Sequence, residues 1–166
     1  MKKQKGFSLI ELLIVVAIIL IIAAIAIPNL LRSRIAANEA SAVGSVRTLT
    51  TAQVTYSSTY GTGYTTLAQL GGAAGCVAAP ATACLIDPVL TLGTKSGYTV
   101  NTVPNTGAGT NASPFNGFET NGTPLSASTG TRGFCSDQSG VIRYNTTGAA
   151  IGTAAGSCAA VATILQ

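Results

Sequence analysis

The sequence predicts an α+β protein, with a long amino-terminal helix, hydrophobic in its first half, packed through its second half on a carboxy-terminal antiparallel β-sheet head. Three observations carry this. Residues 12–27 contain no polar side chain, whereas residues 61–166 are dominated by Gly, Ala, Thr, Ser and Asn. Helical spacing of apolar residues continues past the apolar run to about Tyr60. Beyond that point the pattern changes to short alternating stretches punctuated by Gly and Pro. Of 166 residues, 47% are hydrophobic and 8% charged. A soluble domain carries about a quarter charged residues, so much of this chain faces something other than water.

Four segments follow: a basic leader (1–6), a hydrophobic transmembrane or core helix (7–34), its amphipathic continuation (35–60) and a β-rich head (61–166). In residues 7–27 the only strongly polar members are Ser8 and Glu11. A helix of that length spans about 31 Å, close to the ~30 Å hydrocarbon core of a bilayer. Residues 9–27 include fourteen Leu, Ile or Val, which together favour insertion by roughly 4 to 8 kcal/mol. The carboxylate of Glu11 lies near the segment's start, where it costs less than the ~2.5 to 3.5 kcal/mol of an acid at the bilayer centre. Insertion wins. Lys2, Lys3 and Lys5 then keep the leader cytoplasmic and send the rest outward.

The net charge of +4 does not indicate nucleic-acid binding, because without residues 1–6 the balance is six basic against five acidic residues. The chain has no His and no Trp, which excludes histidine-based triads and imidazole acid–base chemistry. The acids Asp87, Glu119 and Asp137 are widely spaced, and neither a phosphate-binding loop nor a dinucleotide-binding turn is present. No catalytic residue, metal site or cofactor is expected.

An ordinary secretory signal, cut after Ala24-Ile25-Ala26 and followed by a secreted or anchored enzyme or binding domain, is one alternative. Glu11 inside the apolar region and the helical patterning beyond the supposed cut count against it. Lys5-Gly6 followed by Phe7-Ser-Leu-Ile-Glu11 and an apolar run, with Pro28 21 residues after Phe7, resembles the start of a type IV prepilin. The resemblance covers residues 5–34 and is shared with the pseudopilins of type II secretion systems and of competence systems. It implies cleavage by a prepilin peptidase between Gly6 and Phe7 and methylation of the new amine on Phe7. It also implies that Glu11 pairs with the Phe7 amine of a neighbouring subunit and so sets the axial register of a homopolymer. An intrahelical pair, with the carboxylate about 6 Å along the axis from its own amine, or a protonated Glu11, are the alternatives.

The resemblance further implies an inner-membrane precursor, an assembly platform and motor proteins as partners, and an extracellular pilus filament as product. A type II secretion pseudopilin is the second reading.

After Pro28, Ile35, Ala42, Val46, Leu49, Tyr56 and Tyr60 recur at helical steps, with Gln53 the one polar member of the stripe. Asn38, Glu39, Ser45 and Arg47 are assigned to other positions. A helix from Phe7 to Tyr60 is roughly 80 Å long, more than a chain of this size buries internally. Pro28 removes a backbone hydrogen bond and predicts a bend or local melting.

In the head, Tyr98-Thr-Val-Asn-Thr-Val103 alternates as a strand, and Gly133-Phe-Cys-Ser136 and Val141-Ile-Arg-Tyr144 flank a hairpin turn. Residues 115–119 make a middle strand. Three or four antiparallel strands are expected. Cys76, Cys84, Cys135 and Cys158 all fall in the exported part, with no zinc-like spacing, so disulfides are expected over free thiols. Three pairings are open. The favoured one joins Cys76 to Cys84 and Cys135 to Cys158, the second loop resembling the carboxy-terminal disulfide loop of type IV pilins. By loop-closure entropy such bonds contribute about 2.6 and 3.4 kcal/mol. The sequons at Asn111, Asn121 and Asn145 are assigned no function.

Overall fold

The computed structural model describes residues 7–105, 107 and 109–165, so the leader and its Gly6 cleavage position lie outside the described residues. The chain divides into two compact units between Arg34 and Ile35. A single helix, α1 (Leu9–Tyr60), supplies residues to both.

The first unit is helical throughout its described part beyond Ser8. Its most apolar stretch has a mean hydropathy of 3.3, with none of it buried. The helix is unbroken across Pro28; the local melting expected there is absent. Proline removes one backbone donor, and the surrounding run of Leu, Ile and Ala keeps the neighbouring turns helical.

In the second unit, α1 buries Glu39, Ala42, Ser45, Val46, Leu49, Ala52, Gln53 and Tyr56. The rest of this unit supplies α2 (Leu67–Leu70), α3 (Pro88–Thr91) and five strands: β1 (Thr94–Lys95), β2 (Tyr98–Pro104), β3 (Phe118–Pro124), β4 (Gly133–Asp137) and β5 (Arg143–Asn145). The strands form one antiparallel sheet in sequence order. This is one strand more than expected. The two-residue β1 has no alternation to read, and the middle strand begins three residues later than expected. Phe115 instead makes an isolated bridge with Gly63.

Two apolar clusters form the core of this unit. Leu49, Ala52 and Tyr56 pack with Leu70, Ala83, Ile86, Leu90 and Val100. Ala42 and Val46 pack with Tyr98, Phe134 and Ile142. The alternating strand β2 turns Tyr98, Val100 and Thr102 inward while Thr99 and Asn101 stay exposed. Strand β3, by contrast, is buried on both faces over Phe118–Gly122. One face meets α1, as the position of a side chain at Gly122 within 3.4 Å of Val46 shows. The other face is covered by the carboxy-terminal segment.

Candidate assembly segment and the anchors of the head

Every Leu, Ile, Val and Phe from Phe7 to Leu31 is exposed, Phe7 to 79% and Leu9 to 75%. Such a contiguous apolar surface is unstable in water and marks a lipid- or protein-facing element. At its start the Ser8 backbone N–H donates to Glu11 Oε2 at 2.8 Å. Glu11 therefore satisfies one of the unpaired donors of the first helical turn and lies where the helix dipole favours a negative charge. The Ser-x-x-Glu spacing of a capping box was the signal for this contact; reading Glu11 only as a charge in need of a cation misses it.

Within the head, Glu39 is buried although its charge suggested a solvent-facing position. Its Oε1 accepts from the Thr131 N–H and hydroxyl, both at 3.0 Å, and from the Arg132 N–H at 3.2 Å. Burial pushes its carboxyl up, but the hydrogen bonds from Arg132 and Thr131 and the Arg132 charge outweigh this and hold it below its ordinary value. Nearby, the buried Tyr98 hydroxyl donates to Arg132 O at 2.9 Å. Burial, with Glu39 adding to it, pushes that hydroxyl up to about 12.

Gln53 is fully buried and wholly paired. Its Nε2 donates to Thr65 O at 2.5 Å and Thr102 Oγ1 at 2.8 Å, and its Oε1 accepts from Thr65 N–H at 2.8 Å. The helix is thus stitched both to the loop that follows it and to β2.

The four cysteines form two disulfides, Cys76–Cys84 and Cys135–Cys158. The second lies beneath the carboxy-terminal segment, together with two more anchors on the outer face of β3. Glu119 accepts from Gly156 N–H at 2.7 Å and Cys158 N–H at 3.2 Å. Asn121 donates to Gly152 O at 3.0 Å. Gly152 has φ 67°, and a Cβ there would stand 2.6 Å from that of Cys135, so no side chain fits.

The sheet register brings Glu119 opposite Asp137, a pairing that their separation in sequence concealed. Burial raises the Glu119 carboxyl above its ordinary value, against the lowering effect of the Gly156 and Cys158 N–H groups. Asp137 Oδ1 is taken by the Ser139 N–H and hydroxyl. These acids hold loops. Among the described residues no group of three or more His, Cys, Asp or Glu could hold a metal. Two of the sequon asparagines are similarly committed, Asn121 to Gly152 O and Asn145 to Ala149 O, while Asn111 is exposed.

Residues 1–27 match the family described as the prokaryotic N-terminal methylation motif. The chain is similar to the type IV wide pilus major component PilA4 of Thermus thermophilus, 64% identical over 39 residues, or 24% of this chain and 30% of the relative. It is also similar to the type IV major pilin protein PilA of Myxococcus xanthus, 46% identical over 54 residues, or 32% of this chain and 24% of the relative. The similarity thus spans less than a third of either relative's length. No solved structure matches the chain. By its methylation motif and its long apolar helix joined to an antiparallel sheet, the chain resembles the type IV pilins.

Proposed function

We propose that this chain is a structural subunit of a type IV pilus, made as an inner-membrane precursor and polymerised through its amino-terminal helix into an extracellular filament. A prepilin peptidase cuts between Gly6 and Phe7 and methylates Phe7. An assembly platform and motor proteins draw the subunit from the membrane, and the chain itself performs no catalysis. The observation that carries this reading is the apolar surface exposed from Phe7, just ahead of α1, to Leu31 within it. It suits lipid before assembly and the flanks of identical helices afterwards, where close packing replaces lipid contacts. The carboxylate of Glu11 meets the Phe7 amine of a neighbour on this reading, exchanging its contact with Ser8 for a charged partner. Pro28 is the position at which the helix bends as the subunit leaves the membrane.

Mass spectrometry of the native protein joined to electron microscopy of cell-surface fibres tests the proposal. A methylated terminus at Phe7 in long fibres made of this chain is expected. A terminus at Ile27 defeats it. Absence of fibres, together with a secretion defect on deletion, assigns the chain to a type II secretion pseudopilus instead.

A further inference from the structure

The two disulfides of the head occupy unlike surroundings. Cys135 and Cys158 are fully buried, Cys135 in the middle of β4 between Asn121 on β3 and Arg143 on β5. Cys76 and Cys84 are only half-buried. The loop they close carries Val77, 82% exposed, and exposed Ala78, Pro80, Ala81 and Thr82. Its tip folds on itself through the reciprocal Ala79–Thr82 backbone bonds, both 3.0 Å. The tip reaches α1 through the Tyr56 hydroxyl, which donates to Pro80 O at 2.8 Å.

The two sulfurs of this bond also differ. Gly72 packs on Cys76, its Cβ position falling 2.6 Å from Cys76 Sγ but 3.5 Å from Cys84 Sγ. Cys84 has φ 56°, a left-handed backbone that a residue with a Cβ adopts at a cost.

From these observations we infer that the Cys76–Cys84 bond is a thiol-exchange site, open to small or protein-borne thiols outside the cytoplasm, with Cys84 Sγ as the sulfur attacked. This goes beyond the assembly role and rests on the proposed function only for the export of the head. A thiolate forms a new S–S bond to Cys84 as the bond to Cys76 breaks. The electron pair leaves on Cys76 Sγ, which takes a proton from water. A second thiolate releases Cys84 as a thiol, so that two external thiols become a disulfide and the protein gains two electrons. Cys135–Cys158 stays closed while the sheet is folded, because no thiolate reaches it. Exchange therefore releases the covalent hold on the loop over α1 and leaves the carboxy-terminal anchors intact.

The test treats the full chain in detergent micelles with glutathione at mildly alkaline pH, then maps adducts by peptide mass spectrometry after acid quenching. The glutathione adduct is expected on Cys84, forming at least about tenfold faster than any adduct on Cys135 or Cys158. Equal rates at both bonds, an adduct chiefly on Cys76, or no adduct on a folded chain overturns the inference. The double variant C76S/C84S is expected to keep the sheet's circular dichroism and the Cys135–Cys158 bond while proteases cut within residues 72–82 about tenfold faster. Loss of the sheet, or a loop as resistant as before, overturns the claim that this bond holds the loop and not the sheet.

Discussion

Both Nε and Nη2 of Arg132 reach the same carboxylate oxygen of Glu39, Oε2, at 2.7 and 2.6 Å. The guanidinium also lies 5.6 Å from the ring centre of Phe134 and 5.4 Å from that of Tyr144, so one side chain joins α1 to two strands across 93 residues of sequence.

Removing this carboxylate leaves Arg132 and the Thr131 donors without their acceptor. Glu39→Ala is expected to destabilise the head by about 2 to 4 kcal/mol in denaturant unfolding followed by near-ultraviolet circular dichroism. The pH dependence has a definite sign. A carboxyl held below its ordinary value of 4.5 contributes stability that is present above that value and is lost as pH falls through the folded value. Melting temperatures of Glu39→Gln are therefore expected to fall less steeply than those of the native chain below pH 4.5.

Gln53 offers a test without charge. Gln53→Leu puts an apolar side chain of comparable bulk in place of the amide but strands the Thr65 N–H and carbonyl and removes a donor from Thr102. A loss of about 2 to 3 kcal/mol is expected, since unpaired buried groups keep their full desolvation penalty. Gln53→Glu restores only the acceptor, and its melting temperature is expected to remain below that of the native chain at neutral pH.

Glu119 has the opposite linkage to Glu39. With its folded value raised, its contribution is present below the ordinary 4.5 and is lost as pH rises through the folded value. Melting curves of the native chain and Glu119→Gln, taken from about pH 4 to 7, are expected to show the native chain losing ground to the variant as pH rises. Parallel curves would contradict that environment for Glu119.

At the other end of the chain, Glu11→Ala is expected to leave membrane insertion and cleavage intact and to block fibre formation. Because Glu11 also caps the first turn through Ser8, Glu11→Gln separates its two roles. The amide keeps an acceptor for the Ser8 N–H but carries no charge. Fibre counts by electron microscopy at or near zero for both variants assign the effect to charge; normal fibres from the Gln variant assign it to the cap.

Much of this architecture was legible from periodicity. The end of α1 at Tyr60 and the start of β2 at Tyr98 follow from spacing alone. Glu39 was not legible, though it sits three residues before Ala42 on the same stripe. A carboxylate there reads as solvated until Arg132, remote in sequence, is brought beside it. The start of β3 was obscured because Glu119 and Asn121 look like outward residues of a one-sided strand. Both are inward on a second face, one created only when the carboxy-terminal segment folds over the sheet. Hydrogen-bond partners distant in sequence decide such positions, and local pattern carries no record of them.

That covering segment is held by its main chain, through the amide groups of Gly156 and Cys158, the carbonyl of Gly152 and a single sulfur. The outward side chains of Thr153, Ala154, Ala155, Ala159 and Ala160 take no part in the grip. The exposed face of this segment is a veneer whose lettering can be rewritten while the fastenings beneath it stay the same, so the surface of the head can change without refolding it.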